Sequence, residues 1–156
     1  MIDDLRTQVE IELEGMTVVV NELASLQHDL AGREPTVREK TAAAAFLAQF
    51  YNGIENVLKR TCYYHRITIP SGDNWHIELF QRFCVPLIPG YPTLFTEALA
   101  SKLAPYRRFR HVALHSYGFQ IDWGRMETGI AEIADVFVEV KDAILKYLQF
   151  TETRKD

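Results

Sequence analysis

Apolar residues recur at three- and four-residue steps along most of the chain, which is the signature of helices with one buried face. Ile2, Leu5, Val9, Leu13, Met16, Val20, Leu23 and Leu30 fall on one such face, and Gly32 and Pro35 are placed to end it. Thr36 and Glu39 have the spacing of a capping box, in which hydroxyl and carboxylate each satisfy a free backbone N–H. The alanines at 42–45 favour helix, and Leu47, Phe50, Ile54 and Leu58 carry the apolar face to about Tyr64. From 67 to 92 the pattern breaks at Pro70, Ser71, Gly72, Pro86, Pro89, Gly90 and Pro92. Inside that connection Asn74 is placed to cap a short helix carrying Trp75, Leu79, Phe80 and Phe83. Long connections of this kind are often functional. Thr93 is read as the cap of a further helix with Leu94, Ala98 and Leu99, Pro105 as its kink or restart, and Gly118 as its end. After Asp122 a last helix runs to about Phe150 on Met126, Ile130, Ile133, Phe137, Val140, Ile144 and Leu148. The expected fold is all-α, an antiparallel four-helix bundle with an additional short helix in the 74–85 region. Residues 1–150 form one domain in this reading, and 151–156 a solvated C-terminal tail.

Composition narrows the class. A chain of 156 residues suits one domain, and 47% hydrophobic with 24% charged residues is ordinary for a globule. The net charge of -4 opposes nucleic acid overall, so any nucleic-acid site must be a local positive patch. Cys62 and Cys84 make neither a disulfide framework nor a close metal-ligand pair, which suits a reduced cytoplasmic protein. The start of the chain is acidic and amphipathic rather than signal-like, and the apolar stretch 42–51 is too short to span a bilayer. No membrane partner is expected.

The chemistry concentrates in residues 106–117, which hold Tyr106, Arg107, Arg108, Phe109, Arg110, His111, His115, Ser116 and Tyr117 and no acid. The plain reading is a solvated face, or one that answers acids on neighbouring helices, with Asp73 and Glu78 as candidates. His111 and His115, one turn apart, can form a metal pair, but no third ligand is evident, so no metal is expected. Trp75 reads as a core anchor, with a cleft position beside His76 as the alternative. Tyr63, Tyr64, His65 and Arg66 read as the close of the second helix.

The sharper reading is cleavage of RNA, which carries its own nucleophile, the 2′-hydroxyl. The enzyme must supply a base for its proton and a cation for the charge on phosphorus. Histidine is the side chain that titrates near neutrality, and arginine can fork onto two phosphate oxygens. Tyr106, Arg107 and Arg108 have the character of residues that hold the backbone and stack on bases. On a straight helix His115 lies about 140° from Arg110, whereas Tyr117 lies within about 20° of it. Either the helix distorts near Ser116 and Gly118, or two subunits pool their motifs. Arg110 and His115 are both read as polar positions near a helix end, outside the periodic core.

The string Arg110-x-x-x-x-His115-x-Tyr117 resembles the Arg-x4-His-x-Tyr signature of HepT toxins in the HEPN superfamily. Phe50-Tyr51-Asn52-Gly53-Ile54-Glu55-Asn56-Val57-Leu58-Lys59-Arg60 resembles their second helix. Phe109-Arg110-His111 and Tyr117-Gly118, followed by Asp122-Trp123, resemble the flanks of their motif. Many members have Asn where this chain has His111. The resemblance implies a HEPN-like bundle and a metal-independent, cofactor-free endoribonuclease. It implies a homodimer with the motif in an intersubunit cleft, and the toxin role beside an MNT-type nucleotidyltransferase antitoxin. Arg110 would bind and polarise the phosphate, and His115 would be the general base or acid. Tyr117 would position the substrate and be the hydroxyl modified by the antitoxin. His111, with Arg107, Arg108 and Tyr106, would contact the RNA. The rival readings are a non-catalytic HEPN module that binds a nucleotide or a nucleotidyltransferase partner, and a structural helical adaptor.

Overall fold

The fold follows from how many faces of each helix the sequence makes apolar. In the computed structural model, which describes residues 1–154, five helices are present: α1 (Ile2–Leu30), α2 (Val37–Tyr64), α3 (Trp75–Arg82), α4 (Glu97–Leu114) and α5 (Trp123–Thr153). A single 3-10 turn, Gly118–Gln120, links α4 to α5, and no strand occurs among the described residues. The chain is thus all-α, with four long helices and one short one among the described residues. None of the described helices is long and apolar enough to cross a membrane.

Helix α2 is the axis of the bundle and packs against all four other helices and the 3-10 turn. Its buried positions spread beyond one stripe, from Ala43 and Leu47 through Phe50, Tyr51 and Ile54 to Leu58 and Cys62, as a central helix requires. Phe50 sets its ring edge-on to Tyr106 of α4 at 5.4 Å and to Phe137 of α5 at 6.1 Å, joining three helices in one aromatic contact. Gly53 lets α1 approach, since a Cβ there would stand 2.7 Å from Cγ of the buried Met16.

Polar contacts show that neighbours run antiparallel. Glu12 of α1 accepts from Asn56 and Arg60 of α2 at 3.3 and 3.2 Å. Arg6, near the start of α1, pairs with Glu152 at the end of α5. Lys102 of α4 meets Glu139 of α5 at 2.8 Å, and the Tyr106 hydroxyl donates to the Gly129 carbonyl at 2.8 Å.

The ends of the helices match the sequence signals in part. Ala31 and Gly32, both at positive φ, close α1. Thr36 and Glu39 form the capping box at the start of α2. The Arg33 guanidinium and the Thr36 backbone N–H hold the Glu39 carboxyl down to about 2, from an ordinary value of 4.5. A depressed carboxylate stabilises the fold above its ordinary pKa and ceases to do so as pH falls through about 2. Asn74 precedes α3 but makes no side-chain cap.

Four expectations need correction. Thr96, not Thr93, caps α4, its hydroxyl accepting from Leu99 N at 3.2 Å. The stretch before it is pinned by Phe95 N–H donating to Phe83 O, so Leu94 is buried outside the helix. Helix α4 does not restart at Pro105 but runs through it as one element. Pro105 and Ser101 are both exposed, so water can take the carbonyl that the missing N–H leaves free. Gly118 does not end α4, which stops at Leu114; it opens the 3-10 turn, where a Cβ would stand 3.2 Å from Thr41 Cα. The domain does not give way to a tail at 150 either. Helix α5 continues through Thr153 with Thr151 buried, and Arg154 donates to Gly90 O at 3.2 Å and lies over the Tyr91 ring. Residues 155 and 156 of the expected tail lie outside the described residues.

Thr36→Ala should cost about 1 kcal/mol, since it removes one half of the capping box. Urea unfolding followed by circular dichroism checks this, and an unchanged midpoint would contradict it.

Candidate functional site

Helix α4 presents two unlike faces, and the motif is divided between them. Leu99, Leu103, Tyr106 and Arg110 are its buried residues, a spacing of four, three and four that points one stripe at the core. Arg110 is therefore the last inward position of the helix and is 5% exposed. The expectation that it stands outside the core is overturned: a cation occupies a core position because α2 offers an anion opposite.

That anion is Glu55, itself buried. Arg110 Nη1 donates to Glu55 Oε1 at 2.9 Å and to Asn52 Oδ1 at 2.9 Å. Its Nη2 contacts Nδ1 of His76 on α3, and that nitrogen also lies 2.8 Å from Glu55 Oε2. One ring nitrogen can donate to the carboxylate or accept from the guanidinium, so the tautomer decides which contact is a hydrogen bond. The guanidinium carbon sits 5.2 Å from the centre of the Tyr51 ring. Arg110 Nε and the Tyr51 hydroxyl are buried with no hydrogen-bond partner among the described residues. Burial, then the Glu55 charge, pushes the Tyr51 phenol above its ordinary value. At the rim, Trp75 packs on His76 with ring centres 3.5 Å apart, Lys59 Nζ lies 4.6 Å over the Trp75 ring, and Lys59 reaches Glu55 at 3.7 Å.

The other face carries His111 and His115, both exposed, with ring centres 4.6 Å apart at 61°. His115 is the residue that caps the C-terminus of α4. Tyr117 is 69% exposed and stacks on Phe119 at 5.5 Å. The structure thus gathers His111, His115 and Tyr117 at one exposed end of α4 and does not bring Arg110 to them. Arg108 is exposed, while Arg107 is half-buried with its guanidinium over the Phe80 ring at 5.2 Å. Tyr106 is not available to stack on a base: it is buried and its hydroxyl is spent on Gly129 O. A groove of about 710 Å³ runs between α4 and α5 beside this end, lined by Arg108, Phe109, Val112, Ser116 and Arg125 among others.

A family model described as HepT-like protein matches residues 42–151, which includes both faces of α4 and the α2 segment opposite. The chain belongs to the HepT-like family. Neither a curated protein nor a solved structure matches it. The matched region of this HepT-like chain holds every residue of the cluster around Arg110 and every residue of the exposed end.

Sequence reasoning passed over Glu55, Asn52 and Lys59 as site residues. It assigned the acids facing the basic stripe to Asp73 and Glu78, both exposed; Glu55 and Glu139 answer it instead. A signal for Glu55 was present. It follows Ile54 and precedes Leu58 on the inward side of α2, and an acid among core positions calls for a buried cation.

Glu55→Ala should destabilise the HepT-like chain by about 3–5 kcal/mol, because it leaves Arg110 buried and uncompensated. Arg110→Ala should cost less, since Glu55 keeps His76 and Lys59 nearby. Denaturant titration of the two variants side by side tests the order, and the reverse order would defeat this account of the cluster.

Proposed function

We propose that the chain is an endoribonuclease that cleaves RNA by attack of the 2′-hydroxyl, and that it is the toxin partner of an MNT-type nucleotidyltransferase. The observation that carries this reading is the exposed His115 beside His111 and Tyr117, on the same helix as a fixed Arg110, inside the region matched by the family. The His115 imidazole takes the 2′-hydroxyl proton. The 2′-oxygen bonds to phosphorus, and the 5′-oxygen leaves and is protonated. The products are a 2′,3′-cyclic phosphate and a 5′-hydroxyl.

Cations hold the phosphate. Arg108 is free to reach it from the surface. Arg110 can reach it through its Nη2 edge once His76, 30% exposed at its side chain, swings away. Glu55 and Asn52 meanwhile keep Nη1 in place, which fixes the fork at little entropic cost. A second copy of the chain supplies the rest. Val112, Leu114, Tyr117 and Phe119 form an apolar exposed end that suits burial against its own counterpart. A two-fold dimer through that end brings both motifs to one cleft and answers the opposed directions of Arg110 and His115. Tyr117, exposed in the single chain, is the acceptor for a nucleotidyl group before the dimer closes over it: its oxygen loses its proton to solvent and attacks the α-phosphorus of the donor, and pyrophosphate leaves.

A second reading is favoured by one observation. The Arg110 fork is already spent on Glu55, Asn52 and His76, an arrangement that serves a non-catalytic HEPN module equally well. Such a module would bind a nucleotide or the nucleotidyltransferase through the exposed end of α4.

His115→Ala should lower RNA cleavage by about 10²–10⁴-fold while leaving the helical spectrum unchanged, since the side chain is exposed. Cleavage by the wild type should persist in chelator. Products ending in a 3′-hydroxyl would rule out 2′-hydroxyl attack, an undiminished His115→Ala would remove this imidazole from the chemistry, and a wild type that does not cleave would turn the reading to the binding module. Arg110→Lys is the informative change at its position, because it keeps the charge and loses the fork.

Tyr117→Phe should keep most of the cleavage and lose nucleotide adducts when the protein is co-expressed with an MNT-type nucleotidyltransferase. Mass spectrometry reads this. Adducts at the wild-type level on Tyr117→Phe would place the modification elsewhere.

A further inference from the structure

We infer that His111 and His115 form a two-imidazole site for a divalent transition-metal ion such as Zn²⁺ on the exposed end of α4. Two histidines four residues apart on one helix project from the same face and can close on a single ion. Here the rings are already neighbours, 4.6 Å apart and edge-to-face. Both side chains are exposed, so rotation about χ2 is free to turn one nitrogen of each toward a common point about 2.0–2.1 Å away. Among the described residues the rings contact each other, and that edge-to-face contact is all that has to turn.

The ligand set selects the ion. Neutral imidazoles suit Zn²⁺, Cu²⁺ and Ni²⁺ and give little to Mg²⁺ or Ca²⁺, which prefer oxygen. Among the described residues no group of three or more His, Cys, Asp or Glu is placed to hold an ion. The chain therefore supplies two ligands and water the others, which makes the site reversible rather than structural. Nearby charge is no bar. Arg110 is neutralised by Glu55, Arg107 is drawn over Phe80 and Arg125, in the groove beside this end, pairs with Asp122, leaving Arg108 as the exposed cation one turn before His111. In water its repulsion is small beside two coordinate bonds.

An ion held there would occupy the imidazole that the proposed ribonuclease uses for proton transfer. The loaded state would be silenced, a consequence that rests on that reading, whereas binding itself rests on geometry alone.

Calorimetric titration of the full chain, free of any histidine tag, with zinc chloride tests the site. Saturable binding is expected, weakened by about tenfold or more in His111→Asn and in His115→Asn, and retained in His28→Ala, which removes an exposed histidine on α1. Circular dichroism verifies that each variant stays helical. Binding that survives either motif substitution, or no saturable binding by the wild type, overturns the site. For the consequence, cleavage of RNA should fall as zinc fills the site and recover on adding chelator. Cleavage indifferent to zinc that calorimetry finds bound overturns the silencing role. A chain that binds zinc and never cleaves RNA sinks the ribonuclease reading and leaves the metal site standing.

Discussion

The bundle depends on one buried ion pair. Arg110 of α4 and Glu55 of α2 are each almost fully enclosed, and Arg110 has no other acid to hold its charge in the interior among the described residues. Asn52 accepts from the same guanidinium and His76 Nδ1 lies against both partners, while Arg110 Nε has no hydrogen-bond partner among the described residues. The pair therefore fixes more than two side chains. It sets the register of α4 against α2, and through His76 it draws α3, carried by the long 66–96 connection, onto the same point. Apolar contacts such as Phe50 with Tyr106 and Phe137 tolerate small slides of one helix along another; a buried salt bridge with fixed hydrogen bonds tolerates far less.

Fixing α4 in this way divides its chemistry. The inward stripe ends at Arg110, so His111 and His115, which follow by one and five residues, must face away. Helix α4 then stops at Leu114, and the 3-10 turn packs Gly118 against Thr41 of α2, which holds Tyr117 and Phe119 on the surface. A site built from one chain alone would have its cation inside and its imidazoles outside. The same constraint leaves the end of α4 exposed, which is where the proposed second copy, nucleotidyltransferase and metal ion would each meet the chain.

Helix number, the capping box at Thr36 and Glu39, the stop at Gly32 and the start at Asp122 were all legible because each rests on local periodicity or on groups within one turn. The motif at 110–117 was legible for the same reason, as a string. Thr93 reads as a cap because Leu94, Ala98 and Leu99 follow it at helical spacing, yet the helix is capped by Thr96. What separates them is the Phe95–Phe83 backbone bond, made across the connection. The end of α5 was set too early because Thr151 is polar and nothing local tells that it is buried.

By itself the sequence determined an all-helical chain, its family, and which residues carry charge or can move a proton near neutrality. Those properties belong to residue types and to spacings of three or four. Only the tertiary structure decided that Arg110 is a core residue, that Tyr106 is spent on Gly129, and that Glu55 rather than Asp73 or Glu78 answers the basic helix. Burial of a charge is decided by what another helix, 55 positions away in the chain, places opposite it, and no local pattern carries that information.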